Sequence, residues 1–277
     1  MAAAIDALTS ATLKHLREAW WDDAFTAFLE ETLAPRPGNR ILDVGCGEGL
    51  AEVEIGRLHI SQLRLFGVDL VPSKVAAARQ ETLSHNQRVG FAAADACLLP
   101  FKDGAFDSIY CVAVLQHIDQ VDMAVAEFAR VTTVKGRVVA VEPDNTARYG
   151  FSSTSLGRRA FELSAQFFMA LDGPRGDRSA IGPTLPGRFA RHGIEALSVR
   201  LFPVSRTILG PPSPSVWQAR REAVESALRT ARSDAAAWLG REYLDVLTGY
   251  EREANAAGSS FVEIQNTMLF ATVGQKS

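Results

Sequence analysis

Ile41-Leu42-Asp43-Val44-Gly45-Cys46-Gly47-Glu48-Gly49 is the stretch on which the reading of the fold turns. A short apolar strand runs into glycines at every second position, and a helical segment follows from Leu50. Glycine takes up positive φ without steric cost and lets a ligand approach the backbone closely. A turn of this kind after the first strand, beside the switch point of a doubly wound sheet, is where nucleotide-like cofactors lie. A dinucleotide fold requires G-x-G-x-x-G, and the third glycine position is occupied here by Leu50.

Outward from this stretch the pattern alternates. Strands are expected at 40–44, 63–68, 89–93, 107–114 and 137–141, with helices at 50–58, 72–84 and 122–131 between them. Ile109-Tyr110-Cys111-Val112-Ala113-Val114 is apolar throughout, as a strand buried on both faces should be. The alternation specifies an α/β fold with a doubly wound, mostly parallel sheet and right-handed crossovers. Before it, residues 5–33 carry Leu13, Leu16, Trp20, Phe25, Phe28 and Leu29 at helical spacing, closed by Pro35-Arg36-Pro37-Gly38. After Glu142 come a helix at 156–171, a Gly- and Pro-rich loop at 172–187, a strand at 194–204, a break at Pro211-Pro212-Ser213-Pro214, helices over 216–257 and a last strand at 261–273. That makes seven strands.

The chain has 277 residues, of which 47% are hydrophobic, enough for a full core. Its 29 Lys and Arg against 32 Asp and Glu give a net charge of −3, so no general field attracts nucleic acid or an anionic membrane. Three cysteines without a CxxC pair argue against both a disulfide framework and a zinc ribbon, and no metal is expected. The N-terminus lacks a basic segment followed by an apolar core, and no window has the length of a membrane span, so a cytoplasmic location is expected.

Asp43-x-Gly45-x-Gly47-x-Gly49 resembles the first signature of class I S-adenosylmethionine (SAM)-dependent methyltransferases. Further matches follow in order: Phe66-Gly67-Val68-Asp69-Leu70, Ala94-Asp95-Ala96, Pro100-Phe101-Lys102-Asp103-Gly104-Ala105-Phe106-Asp107, Val114-Leu115-Gln116-His117-Ile118 and Phe128-Ala129-Arg130-Val131. The last of these departs from the family pattern, which continues into a Pro-Gly-Gly turn where this chain has Lys135-Gly136. The resemblance covers 40–142 and is greatest to the small-molecule branch of the ubiquinone and menaquinone methyltransferases. It implies a Rossmann-like methyltransferase fold with an antiparallel last strand and a helical lid. Three parts are expected: an N-terminal helical lid over 1–37, a SAM-binding domain over 38–210 and 258–277, and a helical insertion over 211–257 serving as lid or dimer element.

The resemblance implies that SAM is held by Asp43, Gly45, Cys46, Gly47, Asp69, Leu70, Asp95, Ala96, Cys111 and Val112. Asp69 would accept from both ribose hydroxyls, which suits a carboxylate because it is acceptor-only. Asp95 would meet the adenine amino group. Asp103 and Asp107 are read as turn-shaping, and Cys111 faces either the core or the cofactor. His117 and Glu142 are the candidate catalytic residues, each with an alternative: His117 could hold its loop through a backbone hydrogen bond, and Glu142 could cap one. Trp20, Trp21, Tyr149, Phe151, Phe167 and Phe168 are candidates for a cover or an apolar pocket, or for core. Arg158, Arg159, Arg175, Arg178, Arg188 and Arg191 could meet an anionic substrate or form a solvated face.

The function expected is methyl transfer from SAM to a small-molecule O-, N- or C-nucleophile by in-line displacement, with no nucleic-acid partner, and with a homodimer as open as a monomer. An NAD(P)-dependent oxidoreductase and a non-catalytic SAM-binding module are the competing classes.

Overall fold

A computed structural model describes residues 21–58, 60–172 and 180–277 of the chain. The strands are β1 (Arg40–Val44), β2 (Arg64–Asp69), β3 (Val89–Ala93), β4 (Phe106–Val112), β5 (Thr132–Ser152), β6 (Ile194–Leu209) and β7 (Val262–Lys276). The helices are α1 (Asp23–Leu33), α2 (Leu50–Gly56), α3 (Pro72–Ser84), α4 (Val121–Val131), α5 (Ser155–Asp172), α6 (Ile181–Arg191), α7 (Pro214–Leu228) and α8 (Asp234–Ala257). One seven-stranded sheet has the order β3-β2-β1-β4-β5-β7-β6.

β1 pairs in parallel with β2 and β4, β2 with β3, and β4 with β5. β7 runs against its neighbours. Val262 accepts from Ser153 at 2.9 Å and Gln275 donates to Lys135 at 3.0 Å, so the start of β7 meets the end of β5. Gly210 to Phe261 at 2.9 Å and Ser277 to Gly193 at 3.0 Å set the same antiparallel sense against β6. The registers Val44 with Val68 and Asp69 with Ala93 bring the carboxyl ends of the first strands to one edge, where their loops gather.

The chain divides into two compact units. The first comprises 21–144, 180–202 and 269–277. Its core joins Leu42, Val44, Ile109, Phe128, Val138 and Ala140 to Ile181, Leu185 and Phe189. The described part of the expected N-terminal lid is packed into the same unit. Phe25, Phe28, Leu29 and Leu33 of α1 are buried, both phenylalanine rings meet Phe202, and Ser108 Oγ donates to the carbonyl of Leu33 at 3.2 Å. An apolar face of that size is worth far more against the sheet than over an open crevice, at roughly 1.5–3 kcal/mol per buried Phe or Leu. Trp21 stands edge-on to Phe25 at 5.1 Å; Trp20 lies outside the described residues. Part of the expected loop at 172–187 is helical instead. Ile181, Leu185 and Phe189 recur at helical spacing and are fully buried, and Pro183 falls in the first turn, where no donor is missed.

The second unit comprises, among the described residues, 145–172 and 203–268. The helices expected over 211–257 are present as α7 and α8, but they do not stand alone as an insertion. They share a core with α5 and Ile208 of β6, built on Phe167, Trp217, Leu247, Tyr250 and Phe261, in the unit that also holds the distal parts of β5 and β7. Gly240 lets α8 close on α5: a Cβ there would lie 2.8 Å from Phe167. Phe168 stays 45% exposed. Inside this unit Glu263, with 1% of its side chain exposed, accepts from Arg220 at 3.0 Å, from Gln265 at 2.8 Å and from the hydroxyl of Tyr250. Arg220 stacks over Trp217 at 4.7 Å. Removing one member of such a pair strands the other as an uncompensated buried charge. Arg220→Met is therefore expected to lower stability by about 3–5 kcal/mol, read from urea unfolding of the whole chain, with Glu263→Gln in the same chain recovering part of the loss.

Candidate cofactor site

The glycine turn after β1 is left-handed at each glycine, with φ of +83° at Gly45, +55° at Gly47 and +86° at Gly49. Side chains are strained in that region, so the alternation of glycines is a conformational requirement. Space requires it too. A Cβ at Gly45 would come within 2.3 Å of Val114, and one at Gly49 within 3.1 Å of Ala78. The turn is thus clasped between the loop after β4 and helix α3. Two amides secure it: those of Gly45 and Cys46 donate to the carbonyl of Val68 at 2.7 and 2.9 Å.

Asp69 ends β2 against this turn. Its Oδ2 accepts from the amide of Gly47 at 3.0 Å and its Oδ1 from that of Val71 at 2.9 Å. Its carbonyl accepts from Ala94 at 3.0 Å, which draws the loop after β3 alongside. In that loop Asp95 is exposed and accepts from the amide of Cys97 at 2.8 Å, and Ala96 packs on the core. Leu70 and Leu98 flank the two acids with 67% and 77% of their surface exposed. Asp103 lies in a turn, whereas Asp107, read as turn-shaping, lies in β4 and ties it to the start of β1. Arg130 links Asp103 to the carbonyls of Leu99 and Phe101, and Asp107 accepts from the amide of Arg40 at 2.8 Å.

β4 carries Val112 half-buried toward this edge, while Cys111 is fully buried in the core with Ile109. Successive strand residues face opposite ways, so Cys111, expected to touch the cofactor, faces the core instead. Cys46 is 6% exposed, and burial, followed by the nearby carboxyls of Glu52, Asp43 and Asp69, pushes its thiol well above the usual range, which removes it as a nucleophile. Burial and Asp95 raise the Cys97 thiol to about 11.

His117 and Glu142 meet in one loop in different capacities. After β4 the chain bends at Ala113, φ +56°, into a single 3₁₀ turn at Leu115–His117. Glu142, fully buried, accepts from the amides of Val114, Leu115 and Gln116 at 2.8, 2.7 and 3.3 Å. That is the loop-capping arrangement, and it keeps both carboxyl oxygens on backbone donors. His117 is exposed at the end of the turn, its own amide donating to Val114 at 3.0 Å. Among the arginines, Arg188 and Arg191 are engaged by Asp122, Arg159 pairs with Glu162, and Arg175 and Arg178 lie outside the described residues. Tyr149 and Phe151 belong to the second unit and are 58% and 37% exposed.

Sequence reasoning missed Glu52 and Tyr110. Both are buried beside Asp43 under the turn. The signal was an acid placed among Ala51, Val53 and Ile55 in a helix with no polar face at that turn.

Desolvation raises the Glu142 carboxyl from 4.5 to about 7, against the pull of its three amide donors. The native state then holds a proton that the unfolded chain has released between these values. Stability is expected to fall as pH rises from about 4.5 to 7 and to level off above, by on the order of 3 kcal/mol at 1.36 kcal/mol per unit. Thermal unfolding from pH 4 to 8 should show this slope reduced in Glu142→Gln, which cannot titrate and is less stable at pH 5 because one amide loses its acceptor.

Comparison with known proteins agrees with this geometry. Residues 42–140 match the model of a methyltransferase domain family. An O-methyltransferase of Aspergillus nomiae is 29% identical over 147 residues, 49% of this chain and 65% of that protein. The demethylmenaquinone methyltransferase of Deinococcus radiodurans is 33% identical over 112 residues, covering 40% of this chain and 46% of its own length. The chain thus spans between about a third and two thirds of the length of the curated relatives it matches. Among solved structures, a methyltransferase-like protein of Bacillus halodurans superposes with TM-score 0.60 over 91% of this chain and 99% of that one at 16% identity. A [4+2]-cyclase superposes with TM-score 0.54 at 18% identity, over 92% of this chain and 80% of the cyclase, so the shared fold does not by itself choose the reaction. By this match, residues 42–140 of the chain are a methyltransferase domain.

Proposed function

We propose that the chain transfers a methyl group from SAM to a small-molecule acceptor. The observation that carries this reading is the carboxylate of Asp69, fixed by the Gly47 amide at the lip of the left-handed turn. Each of its oxygens takes one backbone donor, and a carboxylate oxygen has lone pairs for a second, which suits a vicinal diol. Leu70 and Leu98, apolar and exposed on either side of Asp69 and Asp95, offer faces for a purine whose amino group Asp95 could accept. Gly45, Cys46 and Gly47 present backbone at close range, and Asp43, Ala96 and Val112 complete the lining. These residues fit the cofactor. When bound, its sulfonium supplies an already activated methyl group.

The protein's share of the reaction is then alignment and exclusion of water, worth on the order of 7–11 kcal/mol in favourable cases. Glu142 acts at one remove, holding the 3₁₀ turn that presents His117. His117 is the residue placed to take a proton from a hydroxyl or carbon acid. Relatives named as O-methyltransferases and as a ubiquinone/menaquinone biosynthesis C-methyltransferase, from Teredinibacter turnerae, support oxygen or carbon as the acceptor atom. Leu50 in place of a third glycine weighs against a nicotinamide cofactor.

Calorimetry of the whole chain with SAM and with its demethylated product tests this. Asp69→Ala is expected to weaken both about 10- to 100-fold, the range for hydrogen bonds to a charged group, and failure of the folded wild-type chain to bind either ligand would sink the reading. His117→Ala should leave SAM affinity unchanged and lower turnover about 100-fold with a protonated oxygen or carbon acceptor.

A further inference from the structure

Beneath the glycine turn lies a carboxyl group that this function does not use. Glu52, in the first turn of α2, is fully buried, and neither carboxyl oxygen has a hydrogen-bond partner. Gly67 on β2 makes room for it: a Cβ there would lie 2.4 Å from Oε1, and Phe91 from β3 fills the same space. The titratable groups that bear on it are Asp43 from β1, Tyr110 from β4 and Cys46 in the turn, where Asp69 also acts. Glu48 in the same turn is exposed, and α3 presents Ala78. None of these is a cation. Burial, then Asp43, favours the protonated acid, because two buried carboxylates at close quarters cannot both ionise.

That balance depends on what occupies the turn. A positive charge in the low dielectric above Glu52 would compensate its ionised form, whereas a neutral ligand would not. We propose that Glu52 is a positioning residue that reads the charge of the ligand: neutral in the free chain, it releases its proton to solvent when a sulfonium cation occupies the turn, and so favours the charged methyl donor over the neutral thioether left after transfer. The inference rests on the SAM reading of the site. The reaction is Glu52-COOH to Glu52-COO⁻, with the proton passing to buffer.

The test is calorimetric titration of the whole chain with SAM and with S-adenosylhomocysteine at pH 7.5, in two buffers of different ionisation enthalpy. The wild-type chain should release more protons on binding SAM than on binding the thioether. Glu52→Gln, isosteric and unable to ionise, should remove that difference and reduce the preference for SAM about tenfold, the equivalent of one pKa unit. Glu52→Leu, which removes the orphan oxygens, should do the same and serves if the amide variant does not fold. Equal proton release in wild type and variant, or an equal loss of both ligands by a folded variant, overturns the inference while leaving the SAM reading intact. A folded wild-type chain that binds neither ligand overturns both.

Discussion

The carbonyl of Val68 receives two amide protons from the turn that leaves the neighbouring strand, and the rest of the site is built around that pair of bonds. They fix the exit of β1 against the exit of β2. With the turn so pinned, Asp69, one residue further along β2, can reach the amide of Gly47, and its carbonyl can hold the next loop through Ala94. The glycines follow from the same constraint: a chain that must turn back onto the adjacent strand within five residues leaves no space for a side chain at Gly45, against Val114, or at Gly49, against Ala78, and takes the left-handed route at all three glycines.

Carboxyl groups in the interior divide by how they are satisfied. Glu263 and Glu142 are as buried as any leucine, yet each is surrounded by donors, a guanidinium and a phenol for one and three amides for the other. Those are devices for fixing geometry: a carboxylate can hold several donors at once, and a wrong arrangement leaves polar atoms stranded. Glu52 belongs to neither arrangement. A buried acid without donors lowers stability, and it sits where α2 begins, next to the turn.

Much of the stretch from 40 to 140 was legible because local signals and global fold agree there. β1 and β3, and the helix beginning at Pro72, have the bounds that the apolar runs and punctuation specify. The strand-exit acids could be located for the same reason: Asp69 and Asp95 follow short apolar runs that can only be strands. What was not legible depends on contacts distant in sequence. Helix α6 contains Gly182, Pro183, Pro186 and Gly187, and forms because Ile181, Leu185 and Phe189 have a core to enter. The facing of Cys111 depends on strand register, which an unbroken apolar run does not encode. The capping of the loop by Glu142 joins residues 26 to 28 positions apart.

The lengths of β5, β6 and β7 limit how this chain can be taken apart. At 21, 16 and 15 residues they are about three times an ordinary strand. Each passes from one compact unit to the other without leaving the extended conformation, at 144–145, 202–203 and 268–269. Neither unit is therefore a contiguous piece of gene. The crossings are runs of strand and not loops, and a stop codon placed after the recognisable methyltransferase segment would strip the sheet of its last two strands. Recombination that exchanges one unit for its counterpart in a relative has to splice at several points at once, or alter residues within an intact frame.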